Sequence, residues 1–247
     1  MNENTKTLLF VAAMCVVVAL VLAGLRGATY EMAIKNEKIF NQRAILLALG
    51  DNLETPVDNL SDAEVVDIFA TRMKESIAVD YTGEPIDGIN PLEIKLDEER
   101  KKDEDERALP LFVYDGADGK KYYIISMRGN GLWDEIWGNM ALESDVATVA
   151  GVSFDHAGET PGLGAEIKDN KNWVNQFSGT SVLSDYNGKY TGVVVRKGGA
   201  KDKKYEVDGL SGATVTANGV TDMIQMYMTY YEPTLKKLKA DGKIGMK

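Results

Sequence analysis

A run of four small residues, Ser211-Gly212-Ala213-Thr214, separates a predicted strand from a predicted helix near the end of the chain. The first amide groups of a helix have no partner within it, and the helix dipole favours an anion at that end. Small side chains let an anion approach the backbone closely. The pattern also suits a plain helix cap formed by the hydroxyl of Thr214 or Thr216. The tetrapeptide alone leaves both interpretations open.

Two other glycine-rich stretches have the composition of a ligand site. HAGETPGLGAEI, residues 156–167, has too few apolar residues for a core strand, and its glycines allow backbone to lie against a flat ligand. RGNGLWDEIWGNMAL, residues 128–142, places Trp133 and Trp137 beside glycines. Glycine clusters are equally typical of ordinary turns, and buried tryptophans of core packing. Neither stretch has the dinucleotide-binding glycine pattern, and the sequence contains no P-loop.

The composition excludes several classes of function. The chain has 247 residues, a formal net charge of -10 and a pI near 4.8, so we predict that it does not bind nucleic acid. Its one cysteine, Cys15, excludes an intrachain disulfide, and its one histidine, His156, argues against most zinc sites and His-ligated haem. We therefore predict no metal site. Any chemistry is expected to come from a bound cofactor or from carboxylates and hydroxyls.

An apolar run near the N-terminus, Leu8 to Leu25, contains no charged side chain. At about 1.5 Å per residue a helix of this length spans roughly 27 Å, close to the hydrocarbon thickness of a bilayer, about 30 Å. We predict a single uncleaved transmembrane anchor over residues 1–27. A cleaved signal peptide is the alternative, but Arg26 stands where small cleavage-site residues are expected.

The rest of the chain is predicted to form a connecting helix, residues 28–50, and a folded domain, residues 51–247. Short strands joined by turns and interrupted by helices indicate an α+β fold with mainly antiparallel sheets and flanking helices. The predicted strands are LPLFVYD (109–115), KYYIISM (121–127), ATVAGVSFDHA (147–157), YTGVVVRKG (190–198) and KYEVDGL (204–210).

Two longer helices are predicted in the folded domain. Ser61 followed by Glu64 has the spacing of a capping box and predicts a helix over residues 61–78. Apolar residues at helical spacing predict a long amphipathic helix over residues 216–238. Pro233 is expected to kink this helix or to start a new one.

The stretch DGLSGAT, residues 208–214, resembles the flavinylation motif of FMN-binding domains, in which a transferase esterifies FMN phosphate to the last threonine. GNGLWDEIWGNMAL, GETPGLGAEI and DGLSGATVTANGV occur in the order typical of the C subunits of sodium-translocating NADH:quinone oxidoreductases. The anchor followed by NQRAILLALG is similar to that family too, whereas residues 77–107 match no motif. The G subunit of the Rnf electron-transport complex shares two of these stretches. The double-tryptophan stretch favours the quinone reductase.

The resemblance implies a covalent phosphoester between FMN and Thr214. It implies that a flavin transferase recognises Asp208. Further candidate residues follow from the motifs around the flavin. The residues expected beside the isoalloxazine are Glu159, Thr160, Gly162, Leu163 and Gly164. Those expected in or next to the modified turn are Leu210, Ser211, Gly212 and Ala213. Trp133 is a candidate to line one side of the flavin site, and Arg196 or Lys197 is a candidate to offset the phosphate charge.

The resemblance also implies a function, that of an electron-relay subunit with no catalytic residue and no substrate turnover of its own. Its partners would be the other subunits of a membrane complex that oxidises NADH, reduces quinone and pumps sodium. The flavin domain would lie on the periplasmic side of the cell inner membrane. The alternatives are an Rnf-type subunit and a non-redox, membrane-anchored binding module in which Ser211–Thr214 is only a helix cap.

Overall fold

The computed structural model describes residues 2–241 and begins with one continuous helix, α1 (Glu3–Leu47). The most apolar 18-residue window of α1 has a mean hydropathy of 3.0, and none of that window is buried. Within the described range it is the one helix long and apolar enough to cross a membrane. The predicted long apolar N-terminal helix is therefore confirmed. The chain divides into two compact units after Phe40.

The second unit is built on a six-stranded antiparallel sheet with the strand order β2-β1-β3-β4-β5-β6. Its strands are β1 (Met73–Val79), β2 (Pro85–Ile86), β3 (Leu109–Asp115), β4 (Lys121–Asn130), β5 (Glu135–Leu142) and β6 (Val149–His156). Two short strands, β7 (Val194–Arg196) and β8 (Glu206–Asp208), pair in parallel as a separate sheet. The predicted α+β fold with mainly antiparallel sheets is confirmed.

The helices of this unit are α2 (Asp62–Arg72), α3 (Leu96–Glu99), α4 (Glu166–Asp169), α5 (Lys171–Val174) and α6 (Thr214–Asp241), with 3-10 turns at Gly50–Asn52, Val57–Asn59, Pro91–Glu93, Glu104–Glu106 and Asn175–Phe177. Helices cover both faces of the sheet, as the alternation along β3 shows. Leu111 and Val113 point into the core shared with α6. Phe112, between them, packs against Phe69 of α2 with ring centroids 6.1 Å apart.

The capping box predicted at the start of α2 is present. The Ser61 hydroxyl accepts from the Glu64 backbone at 3.4 Å, and the Glu64 carboxylate accepts from the Ser61 backbone at 2.8 Å. The predicted extension of this helix to Ala78 is wrong, because the chain becomes β1 at Met73. Hydrogen bonding to β3 takes the place of helical hydrogen bonds there.

Helix α6 begins at Thr214, two residues before the predicted start, and continues through Pro233. Of the two outcomes expected at this proline, the start of a new helix is therefore wrong. The helix buries one continuous apolar face on the sheet, and this burial offsets the lost backbone hydrogen bond. The buried residues of this face are Val220, Met223, Ile224, Tyr227, Met228, Tyr231, Leu235 and Leu238.

Two glycines allow α6 to lie close to β4. A Cβ atom on Gly129 would lie 2.7 Å from the Cβ of Met223, and one on Gly219 would lie 2.2 Å from the carbonyl oxygen of Asn130. No side chain fits in either position. The close approach brings the first turns of α6 beside the loop that joins β4 and β5.

Candidate functional site

Three segments meet at the N-terminal end of α6, and one carboxylate links them. The segments are the β4–β5 loop (residues 131–134), the loop after β6 (residues 157–165) and the start of α6. Glu159 in the second segment is only 4% exposed. Its Oε1 accepts a hydrogen bond from the backbone amide of Trp133 at 2.9 Å, and its Oε2 accepts from the hydroxyl of Thr216 at 2.7 Å.

Two glycines leave the space that this carboxylate occupies. A Cβ atom on Gly131 would lie 2.3 Å from Oε1 of Glu159, and one on Gly164 would lie 2.1 Å from Oε2. Both distances are far below van der Waals contact. Glycine at these two positions is therefore a packing requirement of the buried carboxylate.

The surroundings of Glu159 favour its charged form. Burial acts to raise the pKa of this carboxyl, but hydrogen bonds from the Trp133 backbone and the Thr216 hydroxyl outweigh it and hold the pKa below its usual value. The backbone amides of Leu132 and Asp134 act in the same direction. Glu159 is therefore an anion at neutral pH, and none of these partners is a cation.

The turn before α6 presents one threonine and buries another. Gly212 adopts φ +74°, a left-handed conformation that suits glycine, and the amide of Ala213 donates to the carbonyl oxygen of Leu210 at 3.3 Å. Thr214 is half-buried, and in the part of the chain that the structure covers its hydroxyl has no hydrogen bond to protein. Thr216 is 1% exposed, and its hydroxyl is bonded to Glu159.

Large apolar side chains remain exposed in the same three segments. They are Leu132 (51% exposed), Trp133 (70%), Leu163 (42%) and Val215 (52%). A Cβ atom on Gly212 would lie 2.6 Å from Cδ2 of Leu163, so the turn and the loop after β6 are in contact here. Apolar side chains exposed beside accessible backbone are typical of a surface that binds a ligand.

Arg196, a predicted candidate to offset the phosphate charge, forms an ion pair in the structure. Its guanidinium donates to Oε1 of Glu206 through Nε at 3.0 Å and also through a terminal nitrogen. The guanidinium is thus paired with a carboxylate on the neighbouring strand, and its role beside a phosphate stays a prediction. Lys197 follows it at the end of β7 and is exposed.

Asp208 is held at the end of β8, ahead of the turn. Its side chain accepts from the backbone amide of Ala200 at 2.8 Å, and its backbone amide donates to Oε1 of Gln176 at 2.9 Å. The residue is exposed, so a modifying enzyme has access to it.

Some residues of the site are not among those predicted. Gly131, Leu132 and Val215 belong to the three segments, and Thr216 was expected only as an alternative helix cap. The signal for Gly131 and Leu132 is their position in the stretch RGNGLW, between the candidate Trp133 and the end of β4. Ser211, Thr160 and Gly162 lie exposed in the turn and the loop after β6.

The FMN-binding domain family matches residues 131–229, a range that contains all three segments of the site. Fold and site together thus define a protein with an FMN-binding domain. The chain is 30% identical to the C subunit of the Na(+)-translocating NADH-quinone reductase of Neisseria meningitidis serogroup A, over 98% of this chain and 96% of that protein. It is 31% identical to the protein of the same name in Pseudomonas aeruginosa, over 92% of each. The chain belongs to the family of C subunits of the Na(+)-translocating NADH-quinone reductases.

Solved structures agree with this assignment. The crystal structure of the C subunit of the Na(+)-translocating NADH-quinone reductase from Parabacteroides distasonis matches with a TM-score of 0.72 and 31% identity, over 83% of this chain and 95% of that one. The structure of NqrC from Shewanella oneidensis matches with a TM-score of 0.68 and 28% identity, over 83% and 99%. These relatives favour the quinone reductase family over the Rnf alternative.

The residues present at the site fit FMN. Thr214 has a hydroxyl without a protein partner in the described range, at the start of a long helix, where backbone amides favour a phosphate. Gly212 leaves a space beside Leu163 that a Cβ atom would fill. The exposed apolar side chains of Leu163 and Trp133 offer surface for a flat aromatic ring.

Proposed function

We propose that this chain carries FMN covalently on Thr214 and relays electrons within a membrane complex that oxidises NADH, reduces quinone and pumps sodium. The observation that carries the proposal is the contrast between the two threonines in the first turn of α6. Thr214 presents a hydroxyl with no protein partner in the described structure, whereas the Thr216 hydroxyl is buried against Glu159. Membership of the C subunit family supports the cofactor and the complex.

Attachment of the flavin requires an activated donor. The Oγ1 atom of Thr214 forms a bond to the flavin phosphorus and loses its proton. An ester does not accumulate by loss of water in aqueous solution, so the donor must contain a phosphoanhydride. The phosphoanhydride P–O bond breaks, and a nucleoside phosphate leaves with the electron pair and takes up a proton. A flavin transferase that recognises Asp208 would perform this step during maturation.

Other residues of the site hold and shield the cofactor. The first backbone amides of α6 would favour the phosphate, and Arg196 or Lys197 would offset its charge. The exposed side chains of Leu163 and Trp133 would pack against the ring and keep water from it. Bound FMN supplies reversible electron transfer at this position, and the protein sets its orientation and surroundings. The chain turns over no substrate of its own. The backbone of Thr160, Gly162 and Gly164 would line the ring, together with Leu210, Ser211, Gly212 and Ala213 of the turn.

The N-terminal helix supports a membrane location. We assign residues 1–27 as the anchor, residues 28–50 as a connecting helix and residues 51–247 as the flavin domain, on the periplasmic side of the inner membrane. The apolar window of α1 supports the anchor. A flavin lost outside the cytoplasm is not readily replaced, and a covalent bond prevents that loss.

The test uses membranes that contain the complete complex, with this chain either wild type or Thr214→Ala. Fluorescence of the denatured chain in a gel reports covalent flavin, and NADH-driven quinone reduction reports electron relay. We expect the variant to assemble, to lose the fluorescence and to lose quinone reduction. A fluorescent Thr214→Ala chain would contradict the attachment site. Unchanged quinone reduction would contradict the relay.

A further inference from the structure

We propose that Glu159 is a positioning residue of the flavin site, and that its fixed negative charge lowers the redox potential of the flavin. This inference rests on the proposed function, because it requires a flavin on Thr214. It gives Glu159 a role different from the one predicted from sequence, in which it lines the isoalloxazine. The carboxylate faces inward to the protein, as its hydrogen bonds show.

The geometry connects Glu159 to the flavin-bearing turn. Thr216, which donates to the carboxylate, lies two residues after Thr214 in the first turn of α6. A Cβ atom on Gly164 would lie within 2.8 Å of the Thr216 hydroxyl as well as against Glu159, so the loop after β6 is packed directly on this turn. Glu159 thereby fixes the orientation of the residue that carries the flavin.

The charge of Glu159 is not neutralised by its partners. Its hydrogen-bond donors are the backbone amide of Trp133 and the hydroxyl of Thr216, both of them uncharged. The side chain is buried, so solvent screens its field less than it would on the surface. The positive end of the α6 dipole offsets part of the charge. A flavin on Thr214 would be attached two residues from the hydroxyl that is bonded to this anion, so the anion would make its reduction less favourable.

A purely structural role is the competing explanation. The Trp133 amide and the Thr216 hydroxyl both donate to Glu159, and a carboxylate suits them because it only accepts hydrogen bonds. Under that explanation the charge itself has no effect on the flavin. Two substitutions separate the explanations: Glu159→Gln removes the charge and keeps the length of the side chain, whereas Glu159→Asp keeps the charge and shortens the side chain.

The experiment is a potentiometric titration of the flavin in the full-length chain, purified with covalent flavin. At the potential where wild type is half reduced, we expect Glu159→Gln to increase the ratio of reduced to oxidised flavin by about tenfold, which equals about 30 mV for a two-electron couple. Glu159→Asp is expected to change that ratio much less. Glu99→Gln is the matched control, since Glu99 is also buried and accepts a backbone amide, that of Ala108 at 2.9 Å, but is paired with Lys102.

Three results would overturn the inference. One is a Glu159→Gln flavin with the wild-type potential. Another is an equal shift in both Glu159 variants, which would show that geometry alone is responsible. The third is failure of both variants to take up flavin while Glu99→Gln does so normally, which would make Glu159 a structural residue only. A wild-type chain without flavin would instead contradict the proposed function.

Discussion

The indole nitrogen of Trp173 donates a hydrogen bond to the backbone carbonyl oxygen of Asp208 at 2.6 Å. Trp173 is buried against Phe154 and Phe177, with ring centroids 5.9 and 5.1 Å away. The short helix α5 thus holds the end of β8, where the DGLSGAT motif begins. The motif is anchored to the core before it reaches the exposed turn.

Trp173→Phe is expected to destabilise the fold by about 1–3 kcal/mol, because the carbonyl group of Asp208 loses its buried donor. Thermal unfolding of the flavin-free chain measures the change. Trp133→Phe is the matched control, since Trp133 is 70% exposed and its indole makes no hydrogen bond within residues 2–241. Equal stability changes in the two variants would contradict the importance of the Trp173 contact.

Gly219→Ala tests the close packing of α6 on β4. Alanine is favoured over glycine inside a helix by about 1 kcal/mol, but here its Cβ would lie 2.2 Å from the Asn130 carbonyl oxygen. We expect a net loss of about 1–3 kcal/mol in the free energy of unfolding. Gly158→Ala serves as the control, because a Cβ there would lie 3.8 Å from the Cβ of Asp134. A Gly219→Ala protein as stable as wild type would disprove this packing.

Gly212→Ala tests whether the turn before α6 must keep its shape for the flavin to be attached to Thr214. Gly212 and Gly188 both have positive φ, +74° and +63°, so alanine at either is expected to cost about 1 kcal/mol of stability. Only at Gly212 does the added Cβ meet another residue, Leu163. We expect the Gly212 variant to lose covalent flavin and the Gly188 variant to retain it, as measured by intact mass. Full flavin occupancy in both would argue against a shape requirement.

The ion pair between Arg196 and Glu206 gives a pH dependence with a defined sign. The Arg196 guanidinium, helped by the backbone amides of Lys201 and Asp202, lowers the pKa of Glu206 from its ordinary value of 4.5 to about 2. Since the folded-state pKa is the lower one, the pair stabilises the fold above about pH 4.5, and this contribution is lost as the pH falls to about 2. The stability difference between wild type and Glu206→Gln should shrink over that window. A difference that stays constant from about pH 6 to about pH 2 would show that the pair does not contribute.

Local signals in the sequence predicted the beginning of α2 better than its end. The Ser61–Glu64 capping box marks the start of α2 because both partners are three residues apart. The same helix ends at Arg72 because the following residues pair with β3, whose residues lie roughly thirty or more positions away in the chain. Helical periodicity does not contain that information.

At the site, too, the sequence revealed features of neighbouring residues but not contacts between residues far apart in the chain. The small residues from Ser211 to Thr214 and the glycines around Leu163 are visible as composition. The bond between Glu159 and Thr216 joins residues 57 positions apart, and the pairing of Arg196 with Glu206 depends on the register of β7 and β8. Both contacts follow from the fold, so the sequence indicated the residues without their roles.

Location of the flavin on the polypeptide tests the central claim most directly. The tryptic peptide from Tyr205 to Lys236 of the native full-length protein contains Ser211, Thr214 and Thr216. Tandem mass spectrometry of this peptide is predicted to show one added FMN phosphoester on Thr214, with Ser211 and Thr216 unmodified. An FMN group on either of the other two residues, or an unmodified peptide from cells whose flavin transferase is active on another target, would contradict the account.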